Sequence, residues 1–248
     1  MIRSPLYDAH CHLHEFSDPE IERFITNGYV IIAVSDDLSS SIRTLGIYRK
    51  YTNNVIPCIG LHPWNIEKES RENLEHLISL IGKEKPPCIG EVGLDKRFLP
   101  ESSFEKQSEI FRSFLEAASS IDAVVNIHAV DAWRDALKMV VSSGVRRAIF
   151  HWFNGPEDVL KEIIDVGYMV SINAAIKVQD KHKRIARLAD LNSILVESDG
   201  PYNYRGMRLS PDMLGETLSI IAEVKGISRE DVERTVERNF RRYIYRQG

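Results

Sequence analysis

Short apolar runs alternate with longer amphipathic segments along the whole chain. Tyr29-Val30-Ile31-Ile32-Ala33-Val34 is continuous and rich in β-branched residues, the pattern of a strand buried on both faces of a parallel sheet. Runs at 55–60, 87–91, 123–127, 148–150, 168–172 and 193–196 repeat it, and Pro5-Leu6-Tyr7-Asp8 supplies a first short strand. The segments between them carry helical spacing. Leu74, Leu77, Ile78 and Ile81 in 70–83, and Phe104, Ile110, Phe111, Phe114, Leu115 and Ala118 in 102–119, each form one apolar stripe. Further helices are expected from Asp18 to near Asn27, and over 39–51, 131–141, 156–166, 181–189, 211–225 and 228–245. Ser228 followed by Asp231 reads as an N-cap with an acid in the first turn.

Eight strands alternating with helices in 248 residues predict a (β/α)₈ TIM barrel with a closing C-terminal helix. A doubly wound open sheet is the alternative. No linker, low-complexity tract or charge block interrupts the pattern, so a single domain over 1–248 is expected.

The net charge of −4 offers no global basic field for nucleic acid or anionic lipid, so any polyanion contact needs a local patch. Cys11, Cys58 and Cys88 are odd in number and form no Cys-x-x-Cys, which fits a reducing compartment; Cys58 and Cys88 sit in apolar runs and read as core residues. No apolar run approaches membrane length and the N-terminus lacks a leader-like apolar segment, so a cytoplasmic protein with no membrane contact is expected.

The histidines change the picture. In a (β/α)₈ barrel, function collects at the C-terminal ends of the strands. Six of the eight histidines fall at such ends, only His76 and His182 lying in helices. Asp8-Ala9-His10-Cys11-His12 ends the first strand, and alternation sends His10 and His12 one way and Cys11 the other. Gly60-Leu61-His62-Pro63 ends the third, Gly90-Glu91-Val92-Gly93-Leu94-Asp95 the fourth, His128 the fifth, His151 the sixth and Glu197-Ser198-Asp199 the eighth. One strand-end histidine is ordinary. His10, His12, Glu91, His128, His151 and Asp199 converging on one mouth predict a metal site, with imidazole and carboxylate suiting Zn, Mn, Fe or Ni and leaving Mg possible. A lone buried Glu91 also needs a cation.

These motifs, with His151-Trp152-Phe153-Asn154-Gly155, Ser198-Asp199-Gly200-Pro201-Tyr202 and Arg238-Asn239-Phe240, resemble the TatD-type metal-dependent deoxyribonucleases of the amidohydrolase-like barrels, over nearly the whole chain. The resemblance implies two divalent metal ions (Mg, Mn or Zn): His10, His12 and Asp199 at the first, His128 and His151 at the second, Glu91 bridging. It implies a hydrolase cleaving phosphodiester bonds with a metal-activated water, Asp199 as proton acceptor and Glu91 as bridge. His62, left over from metal binding, is expected to contact the scissile phosphate, and Asp95 to orient a ligand histidine. Arg205, Tyr202 and Asn154 are further candidates for substrate binding, and Trp64 and Trp152 for stacking a base. Lys96-Arg97 and the run Lys177, Lys181, Lys183, Arg184 and Arg187 are the basic patches available to a phosphodiester.

One departure from the family pattern bears on substrate. The family's strand-five motif carries an arginine two residues after the histidine, where this chain reads His128-Ala129-Val130. DNA, single-stranded or at duplex ends, is the expected partner. A small phosphoester, or an amidohydrolase-type reaction on a cyclic amide or lactone, is the alternative.

Overall fold

The computed structural model describes residues 5–97 and 101–245. Met1 to Ser4, part of the segment read above as carrying no leader, lie outside the described residues. Eight parallel strands pair in chain order: β1 (Tyr7–Cys11), β2 (Val30–Val34), β3 (Val55–Ile59), β4 (Cys88–Asp95), β5 (Val124–Val130), β6 (Ala148–Phe150), β7 (Met169–Ile172) and β8 (Ile194–Val196). β1 meets the end of β8 through backbone hydrogen bonds: Asp199 N donates to His10 O (2.9 Å) and His12 N to Gly200 O (2.8 Å). The barrel is thereby closed next to the first histidine pair.

The strands are buried along their length because each packs inward on the barrel and outward on helices, which is why they read as continuous apolar runs. The outer layer is α1 (Asp18–Thr26), α2 (Leu38–Lys50), α3 (Arg71–Glu84), α4 (Glu101–Ile121), α5 (Trp133–Ser142), α6 (Glu157–Asp165), α7 (Asp180–Leu188) and α8 (Leu214–Lys225). Phe111, Phe114 and Leu115 of α4 are buried in the shared core with Ile89, Val92 and Ile127. The closing helix α9 (Arg229–Ile244) is capped by Ser228, whose hydroxyl accepts from Asp231 N (3.1 Å). Phe240, Tyr243 and Ile244 of α9 pack with Tyr7, Val30 and Ile32 and so plug the N-terminal end of the barrel. The other end is left open.

Cys58 and Cys88, expected as separate core thiols, are buried as predicted but are register partners on β3 and β4, with Cα atoms 4.4 Å apart and their sulfurs bonded. A spacing of 30 residues carries no sign of such a pair; parallel register creates it. After β8, a two-strand hairpin, β9 (Asn203–Tyr204) and β10 (Met207–Arg208), was not anticipated. Among the described residues no helix is long and apolar enough to cross a membrane.

Candidate metal centre

The strands deliver six predicted residues to the open end of the barrel. Glu91 on β4 is the hub and is 1% exposed. Its Oε1 faces His128 Nδ1 (2.7 Å), His151 Nε2 (2.9 Å) and His62 Nε2 (3.4 Å). Its Oε2 faces His10 Nε2 (3.2 Å) and His12 Nε2 (3.4 Å). Asp199 Oδ1 is 3.4 Å from both of those nitrogens. One carboxylate therefore looks onto two separate imidazole groups, one through each oxygen.

Glycine makes this closeness possible. A Cβ on Gly93 would stand 1.9 Å from the His128 carbonyl oxygen, and one on Gly90 would stand 2.6 Å from that of Asn126. Any side chain at either position would push β5, and His128 with it, away from Glu91. Asp199 sits at φ +53°, a left-handed conformation that an L-residue keeps only when its surroundings enforce it. Here the hydrogen bond from its own N–H to His10 O holds it.

The outward nitrogen of each histidine fixes what the inward one offers. His10 Nδ1 donates to Asn126 Oδ1 (2.9 Å), and the Asn126 amide is itself oriented by donating to Ala9 O (2.8 Å). His128 Nε2 donates to Asp95 Oδ2 (2.8 Å). His12 Nδ1 lies 3.1 Å from Asp36 Oδ1, and His151 Nδ1 lies 3.7 Å from Glu197 Oε1. In their neutral form His10 and His128 therefore turn a lone pair toward Glu91, while His12 and His151 have a carboxylate near each of their two nitrogens. His62 is the opposite case. Its Nδ1 accepts the Trp64 backbone N–H (3.1 Å), so the proton of a neutral ring is on Nε2, which points inward as a donor. Burial lowers the His62 pKa, which keeps the ring neutral.

Charge follows the same division. Burial opposes the ionised form of Glu91, yet the surrounding histidines hold its pKa well below the usual carboxylate range. Burial and repulsion from His151 pull His10 down, but Glu91 and Asp199 hold it up at about 9. Burial likewise opposes charge on His12 and His151, and carboxylates (Asp36 first for His12, Glu91 first for His151) raise both. The centre thus demands positive charge. Ligand atoms of His10, His12 and Asp199 lie within 4.8 Å of one another, as do those of His10, Glu91 and His151; His62 is equally close to Glu91 and His128 but presents an N–H. Inward lone pairs and ionised carboxylates at that spacing are the donor set a divalent cation requires.

A cavity of about 320 Å³ opens above the centre. Its walls include Trp64, Trp133, Trp152, Tyr202 and Tyr204, with Asn154 and Gln179 between them and Lys68 and Arg97 as cations. Tyr202 and Asn154, expected to bind substrate, both line this cavity. Arg205 is not on the lining. The unanticipated hairpin places it at the turn, at φ +48°, and its guanidinium donates to Val178 O (3.3 Å). Trp64 reaches the cavity with its indole N–H donated to Asp95 Oδ2 (2.9 Å), so it braces the same carboxylate that orients His128. In the basic run at 177–187, Lys177 pairs with Glu216 and Arg184 with Glu157, and neither cation lines the cavity.

Asn126, Asp36 and Glu197 were missed as partners of the histidines. Asn126 had a signal: it lies two residues before His128 in an otherwise apolar strand, on the same face. Glu197 had the signal of a carboxylate closing an apolar strand. Asp36 follows β2, which like β7 is a strand end to which no group was assigned.

The family model of the TatD-related DNases matches residues 7–245. The chain belongs to that family. It is 25% identical over 249 residues to an uncharacterized metal-dependent hydrolase of Methanocaldococcus jannaschii, covering 97% of each chain. It is 27% identical over 258 residues to the deoxyribonuclease TATDN3 of Homo sapiens, covering 94% of this chain and 92% of that one. In fold it is similar to the crystal structure of YJJV, a TatD homolog from Escherichia coli, with a TM-score of 0.86 at 22% identity over 97% of this chain and 98% of that one. The TatD-family member described here is a metal-dependent hydrolase.

Proposed function

We propose that the chain is a deoxyribonuclease that hydrolyses phosphodiester bonds with two divalent cations. The observation that carries this reading is the division of Glu91, whose Oε1 serves the His128–His151 group and whose Oε2 serves the His10–His12–Asp199 group. His10, His12, Asp199 and Glu91 would hold one cation, and His128, His151 and Glu91 the other. Bound there, the cations supply an activated water and neutralise charge at the phosphorus.

The protein's own groups do the rest. Asp199 is kept ionised by His10 and His12 against the cost of its burial, and it accepts the proton of the attacking water. His62 points Nε2–H at the centre and donates to the phosphoryl or leaving oxygen, held in that tautomer by Trp64 N. Lys68 and Arg97, the latter paired with Asp95 at 3.5 Å, bring cations to the cavity wall where the strand-five motif lacks one, which supports a phosphate substrate. The aromatic walls provide faces on which a terminal base stacks.

A second reading is favoured by the cavity itself. At about 320 Å³ it is at the small end of ligand clefts, which suits a small phosphoester, lactone or cyclic amide as well as one nucleotide. Single-stranded and duplex DNA oligonucleotides incubated with the Mg- or Mn-loaded protein decide between them. Release of nucleotides, abolished by EDTA, is expected. Intact oligonucleotides together with turnover of a lactone, cyclic amide or phosphotriester would replace the first reading with the second.

A further inference from the structure

Another group of donors lies on the β1–β2 side of the cavity, beyond the Glu91 centre. A 3₁₀ turn over Leu13–Glu15 follows β1 and carries His14 and Glu15, while Asp36 follows β2. Arg43 of α2 pins the turn, donating from Nε to His14 O (2.8 Å) and from Nη2 to Phe16 O (3.1 Å). Ligand atoms of His12, His14, Glu15 and Asp36 all lie within 4.8 Å of one another.

The His14 ring is the informative part. Its Nδ1 is 3.1 Å from the Val34 carbonyl oxygen, which can only accept, so Nδ1 carries the proton. In a neutral ring Nε2 is then a lone pair, and it faces another acceptor, Asp36 Oδ2, at 3.1 Å. A histidine tied through Nδ1–H to a backbone carbonyl, with Nε2 turned to a carboxylate, is arranged as a metal ligand is. Two donors each ~2.0–2.2 Å from one ion stand about 3 Å apart, the spacing seen here. The other Asp36 oxygen reaches His12 Nδ1, which ties this group to the main centre. Electrostatics point the same way. Glu15 and Asp36 put negative charge on the cavity wall; for a phosphoester substrate, the reading proposed above, a cation between them reverses the sign.

We propose a third divalent-cation site formed by His14, Glu15 and Asp36, open to the cavity and completed by water or by a phosphate oxygen of the substrate. One imidazole with two carboxylates favours Mn or Zn over Ca. The site does not rest on DNA being the substrate.

Metal-depleted full-length protein titrated calorimetrically with Mn²⁺ and with Zn²⁺ tests it. The native chain is expected to bind three equivalents and His14→Gln two. A difference of one equivalent between the two chains is the result that supports the site, whatever the count at Glu91; equal numbers in both chains would overturn the proposal. Should His14→Gln fail to fold, anomalous diffraction from native crystals grown with Zn²⁺ decides instead. A peak within ligand distance of His14 Nε2 and Asp36 supports the site, and its absence while ions flank Glu91 overturns it. Neither experiment reads nuclease activity, so loss of the DNA reading would leave the result standing.

Discussion

Asp95→Asn isolates the support behind one proposed ligand, His128, without touching that residue itself. Asp95 is buried, and its carboxylate accepts three hydrogen bonds: His128 Nε2 (2.8 Å) and Trp64 Nε1 (2.9 Å) on Oδ2, and Arg97 N (2.8 Å) on Oδ1. Burial opposes its charge, but the His128 contact and the other donors bring its pKa down to about 2, so it is ionised at neutral pH. An asparagine has one acceptor oxygen. Placed toward His128 and Trp64, it sets its NH₂ against the Arg97 N–H; flipped, it sets that NH₂ against two donors. Either way a donor loses its acceptor and His128 loses the charge that keeps Nε2 protonated and Nδ1 free. Loss of such a partner lowers metal affinity about 10–100-fold, which is about 1.4–2.8 kcal/mol. Calorimetric titration of the metal-free variant with Mn²⁺ measures this, with thermal melting as a control for folding. A dissociation constant within twofold of native, in a protein that melts normally, would refute the role given to Asp95.

His62→Ala is expected to keep its complement of metal, because its inward nitrogen is a donor, while turnover falls about 10²–10⁴-fold; loss of a metal equivalent would make His62 a ligand instead. Cys11 packs with Leu13, Phe16 and Ile31 on the outer face of the strand, so Cys11→Ser should take up metal normally where His12→Ala does not, as metal analysis of the two purified variants will report. Phe114→Ala removes a fully buried ring between α4 and the barrel and is expected to cost about 3–5 kcal/mol in urea unfolding, with no direct effect on the centre.

Much of the fold was legible because buried parallel strands read as unbroken apolar runs and their helices as single stripes. Tyr29 to Val34 and Phe104 to Ala118 leave little choice of element. The hairpin at 203–208 was not legible. Its strands are two residues each, partly exposed, and carry no alternation, so the placement of Arg205 could not be read either. The inward groups of the centre were legible for a different reason. Strand ends converge in a closed barrel, so residues remote in sequence become neighbours through topology alone. Their outward partners depend on register and side-chain reach. Asn126 meets His10 across 116 residues, and Asp36 meets His12 from a strand end whose chemistry was overlooked. The Cys58–Cys88 pair has the same origin, since only the β3–β4 register brings the two sulfurs together.

The central claim is that Glu91 joins two metal sites through its two oxygens. Anomalous diffraction from crystals of the native protein grown with Mn²⁺ measures this most directly. Two peaks are expected, one among His10, His12, Asp199 and Glu91 Oε2 and the other among His128, His151 and Glu91 Oε1. A single ion at Glu91, or ions held with the Glu91 carboxylate turned away from both groups, would contradict it.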